Sequence, residues 1–531
     1  MNTVTAATPH RRTAVTAIGL LAVAGLSGCG GDSVNDTAEL PSTSSTISAT
    51  VNNAAVLPEA VPPAAREFYQ QKIAWSPCGS GPLKALECGE AQMPLDWAKP
   101  SGEKISLAVL RHKATGKRKG ALFLNPGGPG ESGVEFAANA VNLFDKKIIR
   151  SYDLVGWDPR GVGRSSAVTC LPSSELDAFY AEDVTPDNAA ENAASLTASK
   201  RFFEACRKNT GPLVDHVDTV STVKDLDALR VIVGDEKLTY YGASYGTALG
   251  LTYAKTFPST VGRMVLDSID DTTISAKNMA TQQAQSFERT LGVYLNTCGR
   301  RKTCSLKGVP EAQRKQKLLT LIAATDTHPI PTAAKRPLTQ SLLVTGMAAS
   351  LYAEAQWAGM DTALAKAFAG DGTEMLTLAD GYLGRDESGE YKQRQAALAV
   401  ISCLDKADPR TDAQRKADAL EIARLSPVFG ATLMSDTDQC ALGKLKGAPV
   451  ETTLAVKGAP PIVIVASRND AATPYQWAQH VASMVTPSRM ITFNGADHAA
   501  YVSSGSKCVT SAVNTYLLDG SLPAPNLTCA G

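Results

Sequence analysis

The segment Leu238-Thr-Tyr-Tyr-Gly-Ala-Ser-Tyr-Gly-Thr247 constrains the fold more than any other stretch of this chain. It reads as a β-strand that runs through a G-x-S-x-G turn into a helix, with Ser244 at the apex. Tyr240 and Tyr241 suit a buried strand, and Gly242 and Gly246 remove side chains that would collide in so tight a reversal. Thr247 to Ala254 then supplies small and apolar residues for a helix packed closely on a sheet. Such a turn lifts a serine hydroxyl out of the fold and aims a helix N-terminus at it, which suits a nucleophile that must carry an oxyanion. A lone G-x-S-x-G occurs by chance in many chains, so the reading depends on what surrounds it.

Other short apolar runs read as buried strands: Ala121 to Leu124, Leu154 to Trp157, Arg263 to Leu266 and Pro461 to Ala466. Between them lie helical patterns, such as Thr222 to Val233, where Val223, Leu226, Leu229 and Val233 form one apolar stripe. Strand–helix alternation implies an α/β protein with a mostly parallel sheet and helices on both faces, and places ligands at the C-terminal strand ends. The alternation stops near Asp271, gives way to a mostly helical block that includes Gly346 to Phe368, and resumes at Pro461. That block is expected to be a large helical cap inserted between core strands. Tyr352, Trp357 and Phe368 within it fit ordinary core better than substrate contact.

A serine nucleophile needs a base, and the chain has six histidines. His10 lies in the basic N-terminal segment; His112 follows an early strand, and His216 and His328 sit in polar, loop-like stretches. His480 falls on a helix face. His498 differs, because it follows the strand Met490 to Phe493 in a glycine-containing loop that could swing an imidazole over the nucleophile. The acid that orients this imidazole is expected at Asp470, just after the strand Pro461 to Ala466; Asp497 competes, but adjacent loop side chains usually diverge. The order Ser244, Asp470, His498 is that of α/β-hydrolases. Backbone donors for the oxyanion are expected from Tyr245, after the nucleophile, and from Gly127 and Gly128 in Asn125-Pro-Gly-Gly-Pro-Gly-Glu-Ser-Gly133. This glycine-rich loop lacks the G-K-[ST] ending of a nucleotide-binding loop. No C-x-x-C pair or H-E-x-x-H helix suggests a metal, and no cofactor is expected.

The N-terminus carries His10-Arg-Arg12, an apolar run from Ala14 to Leu26, and Leu26-Ser-Gly-Cys29. A basic region, an apolar core too short to span a bilayer comfortably and small residues before a cleavage point make an export signal. The last four resemble a bacterial lipobox, with Cys29 the lipidation candidate and the membrane a partner through its anchor; an ordinary secretory signal is the alternative. Setting Cys29 aside, an even set of cysteines remains, as disulfides of an exported chain require. Neighbour pairing suggests Cys78–Cys88, Cys170–Cys206, Cys298–Cys304, Cys403–Cys440 and Cys508–Cys529, although sequence alone does not fix connectivity. Basic and acidic residues number 52 each, so the basic surplus of a nucleic-acid binder is missing. The expected organisation is a signal at 1–28, a Ser/Thr/Ala-rich tether at 29–64, core at 65–273, cap at 274–440 and returning core at 441–531.

With these residues in place, the chain resembles tripeptidyl-aminopeptidase-like α/β-hydrolases, relatives of proline iminopeptidase, over most of 65 to 529. The resemblance rests on Asn125–Gly133, Gly156-Trp-Asp-Pro-Arg-Gly-Val-Gly-Arg-Ser165, Thr222–Arg230, Tyr241–Thr247, Asp470-Ala-Ala-Thr-Pro474 and the tail Cys508 to Cys529. It implies Ser244, Asp470 and His498 as a triad that releases short peptides from free N-termini through an acyl-enzyme. It also implies an acidic cap group for the substrate ammonium, with Glu288, Glu354 and Asp361 as unranked candidates. Two departures stand out: the last loop reads Ala496-Asp-His-Ala499 where the family usually has Gly-His-Gly, and a tryptophan common near Cys440 is missing. The second leaves peptide specificity open. A carboxylesterase or amidase acting on a non-peptide acyl substrate is the alternative, and a non-catalytic binding lipoprotein is disfavoured by the presence of all three triad types.

Overall fold

The computed structural model describes residues 61–531 apart from 187, 407 and 447–452. The segment 1–28 expected to be an export signal, the lipidation candidate Cys29 and nearly all of the expected tether lie outside the described residues. The strands are β1 (Ser76–Pro77), β2 (Glu87–Pro94), β3 (Lys104–His112), β4 (Gly120–Asn125), β5 (Tyr152–Trp157), β6 (Leu238–Ala243), β7 (Val261–Asp267), β8 (Ile462–Ser467), β9 (Ser488–Asn494) and β10 (Leu527–Ala530). They form one sheet in the order β1-β2-β3-β5-β4-β6-β7-β8-β9-β10. Pairing is antiparallel from β1 to β5 and parallel from β5 through β10.

Strands β4, β5 and β8 are buried along their whole length. Helices cover both faces, which is why these strands read as continuous apolar runs rather than alternating ones. Separate clusters fill the two faces: Phe123, Tyr240 and Ile464 belong to one, and Leu122, Tyr241 and Val465 to the other. Burying each large aliphatic side chain contributes roughly 1.5–3 kcal/mol, enough for the sheet to hold strands separated by long insertions.

Between β7 and β8 the described chain is helical, from Ala276–Thr297 to Cys440–Gly443. The stretch Gly346 to Phe368 is not continuous, however. Helix Gln340–Ser350 ends, residues 351–356 turn through an extended Ala353 and a short 3-10 segment, and a second helix runs Trp357–Phe368. The helix Ala189–Thr210, which falls within 65–273, lines one cavity together with helices of the block after β7.

Two sequence motifs are scaffold. Arg160 donates to both carboxylate oxygens of Asp225, at 2.7 Å each, with both side chains fully buried, and also to the carbonyls of Pro94, Leu95 and His216. This ties the Gly156–Ser165 turn to the helix Thr219–Ile232. Asp158 accepts from Ser132 Oγ and from the amides of Val134 and Arg164, fixing the end of the glycine-rich loop. All five neighbour-paired disulfides are present. No described helix is long and apolar enough to cross a membrane.

Candidate active site

Ser244 joins β6 to the helix Tyr245–Thr256 with φ 55° and ψ −127°. A non-glycine residue there carries about 1–3 kcal/mol of backbone strain, which the surrounding fold must hold. The surroundings account for the turn's glycines: a Cβ at Gly242 would lie 2.3 Å from Gly246 O, and one at Gly246 would lie 2.8 Å from Asn125 Oδ1. The Ser244 amide donates to Asp267 O at the end of β7, 2.9 Å away.

Asp470 follows β8 and is 1% exposed. Its oxygens accept from His498 Nδ1 at 2.9 and 3.0 Å, from the amides of Ala472 and Thr473 at 2.9 Å, and from the hydroxyls of Ser268 and Thr473 at 2.7 and 3.0 Å. Burial alone would raise this carboxyl; the His498 charge and the hydrogen bonds outweigh it and hold Asp470 below the ordinary carboxylate range. Burial likewise works against the His498 imidazolium, and the charge and hydrogen bond of Asp470, helped by Asp267, lift the imidazole above its usual value. A ring so held presents Nε2 as the acceptor once neutral, because Nδ1 is committed to the carboxylate.

The glycine-rich loop lies against the elbow. A Cβ at Gly127, whose φ is +102°, would fall 2.9 Å from Ser244 Cβ and 3.1 Å from Tyr245 N. The Gly127 amide donates to Asn125 Oδ1 at 2.9 Å. The Gly128 amide has no partner among the described residues, and Gly128 lines the space on either side of Ser244.

Two chambers meet at Ser244 and share Gly128, Tyr352, Tyr382, Gln395 and Leu398 as further wall. The larger, about 330 Å³, reaches under the cap to Phe202, Phe287, Phe429 and Trp477 and holds four carboxylates, Glu182, Asp270, Asp405 and Asp436. The smaller, about 150 Å³, is the one that His498 lines. His112, His216, His328 and His480 line neither, and His480 pairs with Asp271. Tyr352, which the sequence pattern assigns to ordinary core, instead faces both chambers from the turn that follows the helix Gln340–Ser350.

The three acidic cap candidates line neither chamber. Asp361 is fully buried and held by Arg301, Tyr294 and Thr303. Glu288 pairs with Lys315 and accepts from Ser426 and the Val428 amide. Glu354 accepts from the Ala496 amide. Asp436, which no sequence pattern singles out, is different. It sits on the helix Gly430–Asp438 facing the large chamber, and its carboxylate has no hydrogen-bond partner among the described residues. Its side chain is exposed to the solvent of the chamber, and the desolvation that the neighbouring protein imposes there raises the carboxyl above its ordinary value. Among the described residues no cluster of side chains suits a metal ion.

The family model of the alpha/beta hydrolase fold matches residues 120–341, and that of the TAP-like proteins matches 426–529. The chain is 33% identical over 478 residues to serine protease Hip1 of Mycobacterium tuberculosis, covering 86% of this chain and 91% of that protein. This chain belongs to the tripeptidyl-aminopeptidase-like α/β-hydrolases. Within the family it is also 33% identical over 468 residues to carboxylesterase B of Mycobacterium tuberculosis, covering 86% and 89% of the two chains. Tripeptidyl aminopeptidase of Streptomyces lividans is 31% identical over 485 residues, covering 88% of each. The protein is a serine hydrolase.

Proposed function

We propose that this hydrolase is an exported exopeptidase that removes short peptides from free N-termini through an acyl-enzyme on Ser244. His498 accepts the Ser244 proton as Oγ attacks the scissile carbonyl; the oxyanion is met by the amides of Tyr245 and Gly128 at a helix N-terminus. The Gly127 amide is engaged by Asn125, so that glycine supplies room rather than a donor. Collapse of the tetrahedral adduct breaks the C–N bond, and the imidazolium gives its proton to the leaving amine. Water, deprotonated by the same imidazole, then cleaves the ester and regenerates Ser244.

The proton transfer assigns the chambers. An imidazole that protonates the leaving amine must face it, so the smaller chamber, lined by His498, takes the leaving group. The larger chamber, lined by Ser244 without His498, takes the acyl half with its N-terminus. The observation that carries the exopeptidase reading is the unpartnered Asp436 carboxylate in that larger chamber. An unpartnered carboxylate lining a substrate chamber favours a cation, and a peptide ammonium is the cation that a free N-terminus brings. Asp270, whose Oδ1 also lacks a partner, lines the same wall; Asp405 is occupied by Thr219.

A carboxylesterase or amidase reading is favoured by the aromatic walls and by identity to carboxylesterase B equal to that with serine protease Hip1. A panel of aminoacyl-, dipeptidyl- and tripeptidyl-amides set against short acyl esters separates the two. Blocking the peptide N-terminus abolishes turnover if the enzyme is an exopeptidase; better turnover of blocked substrates and esters would overturn that reading. Export is supported by the five disulfides, which need an oxidising compartment. Anchoring at Cys29 predicts that Cys29→Ala moves the protein from the membrane fraction to the soluble one; unchanged membrane recovery would contradict it.

A further inference from the structure

The departure of the last loop from the family pattern, Ala496-Asp-His-Ala499, has a structural counterpart on the cap. The interruption at 351–356 leaves backbone groups unused by either flanking helix, and three hydrogen bonds and a ring contact join it to the histidine loop. The His498 amide donates to Tyr352 O at 2.8 Å. The Glu354 amide donates to Asp497 Oδ1 at 3.2 Å, and the Ala496 amide donates back to Glu354 Oε1 at 3.2 Å. The Tyr352 ring stands edge-on to the imidazole, with centroids 5.2 Å apart and planes at 89°. On the core side, Ser467 Oγ at the end of β8 donates to Asp497 O.

We infer that Asp497 and Glu354 form a reciprocal clamp by which the cap turn Tyr352–Glu354 positions the His498 imidazole over Ser244. The inference rests on the reading of His498 as the general base. A histidine loop flanked by glycines has no side chain with which to grip a cap; Asp497 gives this one a buried acceptor 7% exposed, aimed at an amide that the broken helix has left free. Because Tyr352 lines both chambers, a substrate pressing on the cap turn acts on the residue that also abuts the imidazole. Asp497 and Glu354 are positioning residues and touch no reacting atom. Their loss misplaces the base without removing binding surface, so it lowers kcat and leaves KM nearly unchanged.

The test compares Asp497→Ala with Asp497→Asn, which keeps an oxygen acceptor for the Glu354 amide. Asp497→Ala is expected to lower kcat between about tenfold and a hundredfold, with KM and the acid limb of the pH profile in place, and Asp497→Asn to restore most of the rate. The limb stays because Asp470 and Asp267 lift the imidazole's proton affinity, whereas Asp497 is itself raised to about 6, by burial first and then by the facing charge of Glu354. Should Asp497→Ala fold poorly, Glu354→Ala against Glu354→Gln asks the same question of the Ala496 amide. Wild-type kcat in both alanine variants, with His498→Ala inactive, would overturn the clamp while sparing the base. An active His498→Ala would overturn the base itself, and a limb that moves in Asp497→Asn would make Asp497 the orienting acid instead.

Discussion

Thr219, at the start of a core helix, donates both its amide and its hydroxyl to the carboxylate of Asp405, at the end of the cap helix Arg394–Asp405. The same hydroxyl meets Tyr245 OH, beside the proposed nucleophile Ser244, so one buried carboxylate joins the helix Arg394–Asp405, the core and the elbow. Burial pushes Asp405 up to about 7. A carboxyl raised on folding contributes stability that is complete below its unfolded value near 4 and lost as pH rises to about 7. Asp405→Asn removes the buried charge but keeps an acceptor. Its melting temperature relative to wild type should therefore improve from pH 4 to pH 8, and a pH-independent difference would refute the linkage.

The pairing of Asp470 with His498 makes a pH prediction of the opposite sense. With His498 as the proposed general base, neutral imidazole is the active form, and Asp470 raises its proton affinity, so kcat/KM should fall on acidification from above the ordinary imidazole range. In Asp470→Asn the supporting charge is gone and burial pulls the imidazole down, which moves the acid limb to lower pH. The plateau should drop by about 10⁴ as the wrong tautomer is held. A limb that stays put would mean that another group controls it.

On the proposed reading, Asp436 discriminates between substrates. Asp436→Asn should raise KM for free N-terminal peptide amides by roughly tenfold to a hundredfold, the loss of a charge-assisted contact. Turnover of short acyl esters should not change. In wild type the carboxylate must be ionised to hold an ammonium, so KM for free peptides should climb as pH falls through the raised range of this carboxyl. Equal effects on esters and peptides would remove Asp436 from that role.

Arg160 tests the scaffold. Removing it strands Asp225 as an unpaired charge in a fully buried position. Arg160→Ala should lose about 3–5 kcal/mol in denaturant unfolding, with disulfides intact. A loss below about 1 kcal/mol would be that of a surface pair.

Strands such as β4, β5 and β8 are legible because burial on both faces leaves uninterrupted apolar runs, and the elbow because its glycines answer to close backbone approaches. The β10 edge strand is not, since only Cys529 of its four residues is buried. The helix break at 351–356 carries no glycine or proline; Leu351-Tyr-Ala-Glu-Ala-Gln356 contains good helix formers, and its backbone groups instead meet the distant histidine loop. Asp436 reads as a solvated helix face. It faces a chamber through the packing of its helix, where Met434 meets Ala280 and Ala284 of the helix Ala276–Thr297.

The most direct measurement is covalent labelling with a fluorophosphonate, followed by peptide mass spectrometry. One adduct is predicted, on Ser244, absent in Ser244→Ala and formed far more slowly in His498→Ala. Ser244→Ala should stay folded with its disulfides formed, with only residual turnover from binding and the oxyanion donors. An adduct on another residue, or labelling and hydrolysis by Ser244→Ala at wild-type rates, would contradict the account.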